Sequence, residues 1–157
     1  MNKMKAIELY RNNDHIILVT AIEFRFLKDI VKFTQRKSSN WSDKIEENNS
    51  SKFYQRETNE IRVKSIKKYI SNSLFNDSNN NAVLFPSSMI LSMDAGFNEF
   101  EKRIDNTIDF ALPFEKESSL IVDGQHRLKA MFALYNELNE GLFKDEFKIE
   151  KVLNYKY

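Results

Sequence analysis

Leu120-Ile121-Val122-Asp123-Gly124-Gln125-His126-Arg127 is the stretch on which the fold of this chain turns. Its three leading apolar residues predict a short buried strand, and Asp-Gly then suits a tight turn. Leu128, Met131, Phe132, Leu134 and Tyr135 follow at helical spacing, so a helix begins near Gln125 and meets a natural C-terminal stop at Gly141. A helix start leaves backbone N–H groups unpaired, and these attract anions, phosphate above all. Gly124 lets a ligand approach the main chain closely, and the Arg127 guanidinium can fork onto phosphate oxygens. His126 can move a proton near neutral pH, while Asp123 can orient a water, a metal or Arg127 itself. The same string also fits an ordinary strand-to-helix turn with Arg127 paired to a surface carboxylate. Composition does not separate the two.

Working outward, Ile16-Ile17-Leu18-Val19 reads as a buried strand. Ile22, Phe26, Ile30 and Phe33, widened by Leu27 and Val31, predict an amphipathic helix. Val63, Ile66, Ile70 and Leu74 predict a second, capped by Thr58 or Asn59. Ala82 to Phe85 and Met89 to Met93 look like strand pieces broken at Pro86. Ile108, Phe110 and Leu112 alternate as a strand stopped by Pro113, and Phe147, Ile149 and Val152 suggest a last strand. Lys37 to Lys52, with Trp41, and Asn76 to Asn81 lack apolar residues and read as surface loops. Without a regular βαβ rhythm, the expectation is a small α+β domain spanning 1–157, a mixed sheet with packed helices.

Composition narrows the function. At 157 residues the chain is long enough for one core, and its 13 Phe suit a packed interior. The absence of Cys excludes a disulfide framework, a thiolate metal site and a cysteine nucleophile. With only His15 and His126, a multi-histidine zinc site is not expected. No run approaches the roughly 20 apolar residues of a membrane span. The basic Met1 to Lys5 is followed by Glu8, Arg11 and Asp14, unlike a secretory signal; a cytoplasmic protein without membrane attachment is expected. The formal net charge of +1 is too small for a domain that grips nucleic acid by bulk electrostatics, so any DNA contact should be local. No P-loop, Ser-His-Asp arrangement or H-E-x-x-H motif is present.

Other candidates are weaker. His15 reads as a strand-start histidine. Glu115, Glu117 and Asp123 could gather around Mg²⁺, but their spacing favours a solvated loop. Lys64, Lys67 and Lys68 could meet DNA phosphates, though a solvated helix face is the simpler reading. Met89, Met93 and Phe97 read as core.

Asp123-Gly124-Gln125-His126-Arg127 resembles the signature of DGQHR-domain proteins, best known from the DndB-type proteins of DNA phosphorothioate modification systems. Upstream, Tyr54-Gln55-Arg56, Arg62-Val63, Ile66 to Ile70 and Leu84-Phe85-Pro86-Ser87 resemble the family's further blocks in order and approximate spacing. The likeness runs from about Phe53 to about Leu138 and implies a fold similar to the ParB/sulfiredoxin superfamily. It implies that Gly124, Gln125, Arg127 and the distant Arg56 face a phosphate of a nucleotide or of DNA. It further implies that Asp123, His126 and Arg127 would serve catalysis, with Mg²⁺ and a nucleoside triphosphate as cofactors and NTP hydrolysis or DNA cleavage as the activity. The alternative it allows is a non-catalytic, DndB-like transcriptional regulator or scaffold. Partners on either reading are DNA or a nucleotide, a second copy of the chain, or proteins of a bacterial or phage DNA-modification or defence system. Gln125 stands where sulfiredoxins carry a cysteine, so that chemistry is excluded. Family members are typically longer, and the chain is expected to be a short or truncated form.

Overall fold

The structure is a computed structural model that describes residues 3–13, 15–33, 59–75, 85, 88–93, 105–112, 115–141 and 144–157. Arg56, Trp41, Pro86, Phe97, Pro113, the two polar stretches and Ala82 to Leu84 lie outside the described residues.

Among the described residues, two small sheets share one core. In the first, β1 (Lys3–Arg11) lies between β2 (Ile16–Val19) and β5 (Thr107–Ala111), antiparallel to both. Ile7 faces Val19 and Tyr10 faces Ile17, with a bulge between Glu8 and Tyr10; Ala6 faces Ile108. β1 is absent from the sequence reading because Glu8 stands on the same face as Met4 and Ala6 while Ile7 and Leu9 are exposed, so polar and apolar residues do not alternate. The burial expected for Ile16 to Val19 is corrected to half-burial: Ile17 is 53% and Val19 48% exposed. β2 is the sheet's edge, and only one of its faces meets the core.

The second sheet is mixed and centres on β6 (Ser119–Asp123). The two-residue β3 (Val31–Lys32) runs parallel to it, Val31 beside Ser119. On the other side β4 (Ile90–Met93) runs antiparallel, Leu91 beside Ile121. Ile121 is fully buried, whereas Val122 is half exposed at the strand's end.

The predicted first helix is shorter than its apolar stripe. α1 (Phe24–Ile30) buries Phe24, Leu27 and Ile30 at helical spacing, and Val31 then extends the chain into β3. α2 (Glu60–Phe75) begins as predicted, with Asn59 Oδ1 accepting from Arg62 N at 3.1 Å. α3 (Gln125–Glu140) buries Leu128, Ala130, Met131 and Leu134, and ends at Gly141. The last strand expected from Phe147, Ile149 and Val152 is corrected to a helix, α4 (Glu146–Leu153). Asp145 Oδ1 accepts from Lys148 N at 3.1 Å and caps it. Ile149 and Val152 stand three apart, and a run this short does not distinguish the two periods; the cap does.

Phe24 anchors the interior, its ring edge-on to Phe132 at 5.1 Å and to Tyr135 at 6.0 Å. Among the described residues the core cluster draws on both sheets and on α1 to α4, from Ala6 and Phe110 to Ile70, Ile121, Met131 and Val152. Burial of each of the larger aliphatic and aromatic side chains stabilises the fold by about 1.5–3 kcal/mol before entropy is counted. After α4 the chain turns back beside α1: Phe24 N donates to Tyr155 O at 2.8 Å and Tyr157 N to Ile22 O at 2.9 Å. This return places two tyrosines behind the β6–α3 turn.

Candidate functional site

β6 delivers the turn and α3 continues it, as the alternation and the helical stripe require. Gly124 is the N-cap of α3 and holds φ +88° and ψ 11°, a left-handed conformation that favours glycine. Asp123 is exposed, with Oδ1 accepting from Gly124 N at 2.8 Å. The space a side chain would fill at Gly124 is already taken. A Cβ there would meet Met89 Cγ at 2.7 Å and Arg127 Nη2 at 3.0 Å. The glycine thus admits its own neighbours as well as the turn. Gln125 is buried beneath.

His126 reaches sideways to α2. Its Nε2 accepts from the backbone N–H of Asn59 at 3.1 Å, so it satisfies a donor at the start of that helix. The imidazole is therefore neutral, with its proton on Nδ1. Burial lowers its pKa, and the positive charges of Arg62 and Lys129 lower it further. Farther along the two helices, Lys67 of α2 pairs with Glu137 of α3. With Asn59 beside His126 and Lys67 beside Glu137, the helices run parallel and their N-termini lie together. Two positive dipole ends side by side repel each other, and an anion between them would relieve that repulsion.

Arg127 turns the other way. Its Nη2 donates to Ser88 O at 2.9 Å, and its guanidinium lies 5.6 Å from the centre of the Phe85 ring. Phe85 in turn meets Tyr69 at 6.0 Å and Tyr155 at 6.4 Å, and Tyr155 meets Tyr157 at 4.8 Å. Burial raises the pKa of Tyr155, and the nearby Tyr69 adds to it, while Arg127 pulls the other way. Tyr157 is pushed above the ordinary tyrosine range, chiefly by burial. Its hydroxyl is buried and meets no hydrogen-bond partner among the described residues. Lys129, one turn into the helix, lies 5.4 Å from the centre of the Phe33 ring, and its burial lowers its pKa.

The structure thus brings Asp123, Gly124, Gln125, His126 and Arg127 into one turn, while Arg56 lies outside the described residues. Sequence reasoning missed Phe85 and Ser88 as the seat of Arg127, and Arg62 and Lys129 as the charges on His126. Phe85 belongs to one of the blocks that carry the family likeness, and that is the signal that could have found it. Glu115 and Glu117 stand before β6 and Asp123 at its far end, so these carboxylates do not converge. No group of three or more His, Asp or Glu positioned to hold a metal ion occurs among the described residues. His15 sits exposed in the turn before β2, its backbone N–H donating to Asn12 Oδ1 at 2.6 Å. Lys64 and Lys68 are exposed on α2, and Met89 and Met93 pack against the core.

A family model described as DndB, DNA-sulfur modification-associated, matches residues 5–154. No curated protein and no solved structure matches the chain. Among the described residues no helix is long and apolar enough to cross a membrane.

Proposed function

This chain belongs to the DndB family, DNA-sulfur modification-associated, and from that premise we propose that its β6–α3 turn grips a phosphate of DNA or of a nucleotide within a DNA phosphorothioate modification system. The observation that carries the reading is the pairing of two parallel helix N-termini through His126 and Asn59, with Arg127, Arg62 and Lys129 around them. Two positive helix ends with fixed cations beside them suit an anion, and a guanidinium suits phosphate by shape.

Gripping is favoured over turnover. The Nε2 lone pair that a general base would use is engaged by Asn59 N–H, and Arg62 and Lys129 disfavour the imidazolium that proton transfer would create. His126 then acts as a positioning residue that holds α2 against α3. A nucleoside triphosphate carrying Mg²⁺ is the alternative ligand, and Asp123 is the carboxylate the turn offers its metal or a bound water. A second copy of the chain or another protein of the modification system would supply whatever chemistry follows binding.

The test is fluorescence anisotropy with labelled DNA and with a labelled nucleotide in Mg²⁺, comparing the natural chain with Arg127→Ala. Loss of one charge-assisted phosphate contact should weaken binding about ten- to a hundredfold. Unchanged affinity would remove the turn from the reading. Hydrolysis of nucleotide or plasmid above the Arg127→Ala control would replace the binder with an enzyme.

A further inference from the structure

Arg127 lies at one end of an aromatic strip. From its guanidinium the contacts pass to Phe85 at 5.6 Å and from Phe85 to Tyr69 at 6.0 Å, with Tyr155 against the same Phe85 ring. The strip runs outward. Phe85 and Tyr155 are half-buried, whereas Tyr69, on α2, is 46% exposed. An exposed aromatic ring in contact with a ring that carries a cation is the arrangement on which unpaired bases stack, the cation taking the backbone.

Resting on the phosphate reading above, we propose that an unpaired nucleobase stacks on the exposed ring of Tyr69, which stands edge-on to Phe85 at 60°, with the base's own phosphate at the β6–α3 turn. The shared chemistry is a base with a free face and an adjoining phosphate, whether in a free nucleotide or in single-stranded DNA. Duplex DNA keeps both faces of its bases covered and would not fit. The net charge of +1 agrees with this. A site that draws on stacking needs fewer phosphate contacts than one that tracks a duplex backbone by charge.

Fluorescence anisotropy on the full chain tests it, with labelled oligothymidine, an abasic strand of equal length, a duplex, and thymidine monophosphate as competitor. Tyr69→Ala should weaken oligothymidine binding about tenfold or more, the scale of one lost stack, and leave the abasic strand unaffected. Tyr69→Phe should bind like the natural chain, which separates stacking from a role of the hydroxyl. Displacement by the monophosphate assigns the site to a free nucleotide, and retention of the strand assigns it to single-stranded DNA. The proposal is overturned if Tyr69→Ala binds oligothymidine normally, if duplex binds as tightly as the single strand, or if the natural chain binds neither strand nor nucleotide. Arg127→Gln keeps the two readings apart. If it weakens both strands while Tyr69→Ala does nothing, the phosphate site stands without the stack; if it weakens neither, the phosphate site falls as well. Circular dichroism melts of each variant confirm folding, which the exposure of Tyr69 leads one to expect.

Discussion

Replacing Gly124 by alanine probes the turn most directly, because two separable penalties meet there. The backbone holds φ +88°, and a left-handed conformation costs a residue with a Cβ about 1–2 kcal/mol. The new methyl would lie 2.7 Å from Met89 Cγ and 3.2 Å from Met89 Cβ. Met89 packs against the core, so moving it costs about 1–2 kcal/mol, the lower part of the overpacking range, since methionine bends readily. Alanine's smaller unfolded-state entropy returns roughly 0.5 kcal/mol. The net loss is about 1.5–3.5 kcal/mol, or a fall in Tm of about 3–14 °C for a chain of this size. Urea unfolding followed by circular dichroism measures it, once in the natural chain and once in a Met89→Ala background. With Met89 truncated to its Cβ the 2.7 Å clash is gone. The backbone penalty remains with the tight contacts to Met89 Cβ at 3.2 Å and Arg127 Nη2 at 3.0 Å, about 1–2 kcal/mol in all, leaving a coupling of about 1 kcal/mol between the two positions. A loss within about 0.5 kcal/mol in the natural chain, the scale of a neutral surface change, would refute the left-handed turn. Equal losses in both backgrounds would refute the contact with Met89.

Two further outcomes follow from the helix pairing. His126 titrates below its usual 6.5, so as the pH falls the unfolded chain takes up the proton first. The stability that the neutral imidazole supplies is full above that value and drains away as the pH drops toward the folded pKa. Thermal melts between about pH 5 and 7 should show this slope, and His126→Gln, whose carbonyl can also accept from Asn59, should flatten it. Asn59→Ala removes the side-chain cap of α2 and should cost about 1 kcal/mol in urea unfolding, whereas Asn59→Asp should retain most of it.

Much of the turn is legible in the sequence, since its determinants are local. Asp123-Gly124 ends an apolar triplet and starts a helical stripe, and only glycine adopts φ +88° without strain. The caps at Asn59 and Asp145 are local too, but Asp145 is overlooked when a short apolar run is read at period two. β1 escapes because polar and apolar residues do not alternate along it, and the exposure of β2 escapes because edge position depends on which strands pair.

By itself the sequence determined the α+β composition, the strand-turn-helix at 120–127, the start of α2 at Asn59 and the absence of cysteine chemistry. All of these follow from spacing, backbone freedom or residue type, and none requires knowing what lies opposite. Only the tertiary structure decided that α2 and α3 run parallel, that His126 serves Asn59, 67 residues away, and that Arg127 donates to Ser88, 39 residues away. The phosphate-compatible residues were visible as a string. Their orientation was not, because it is set by long-range hydrogen bonds and ring contacts that leave no periodic trace along the chain.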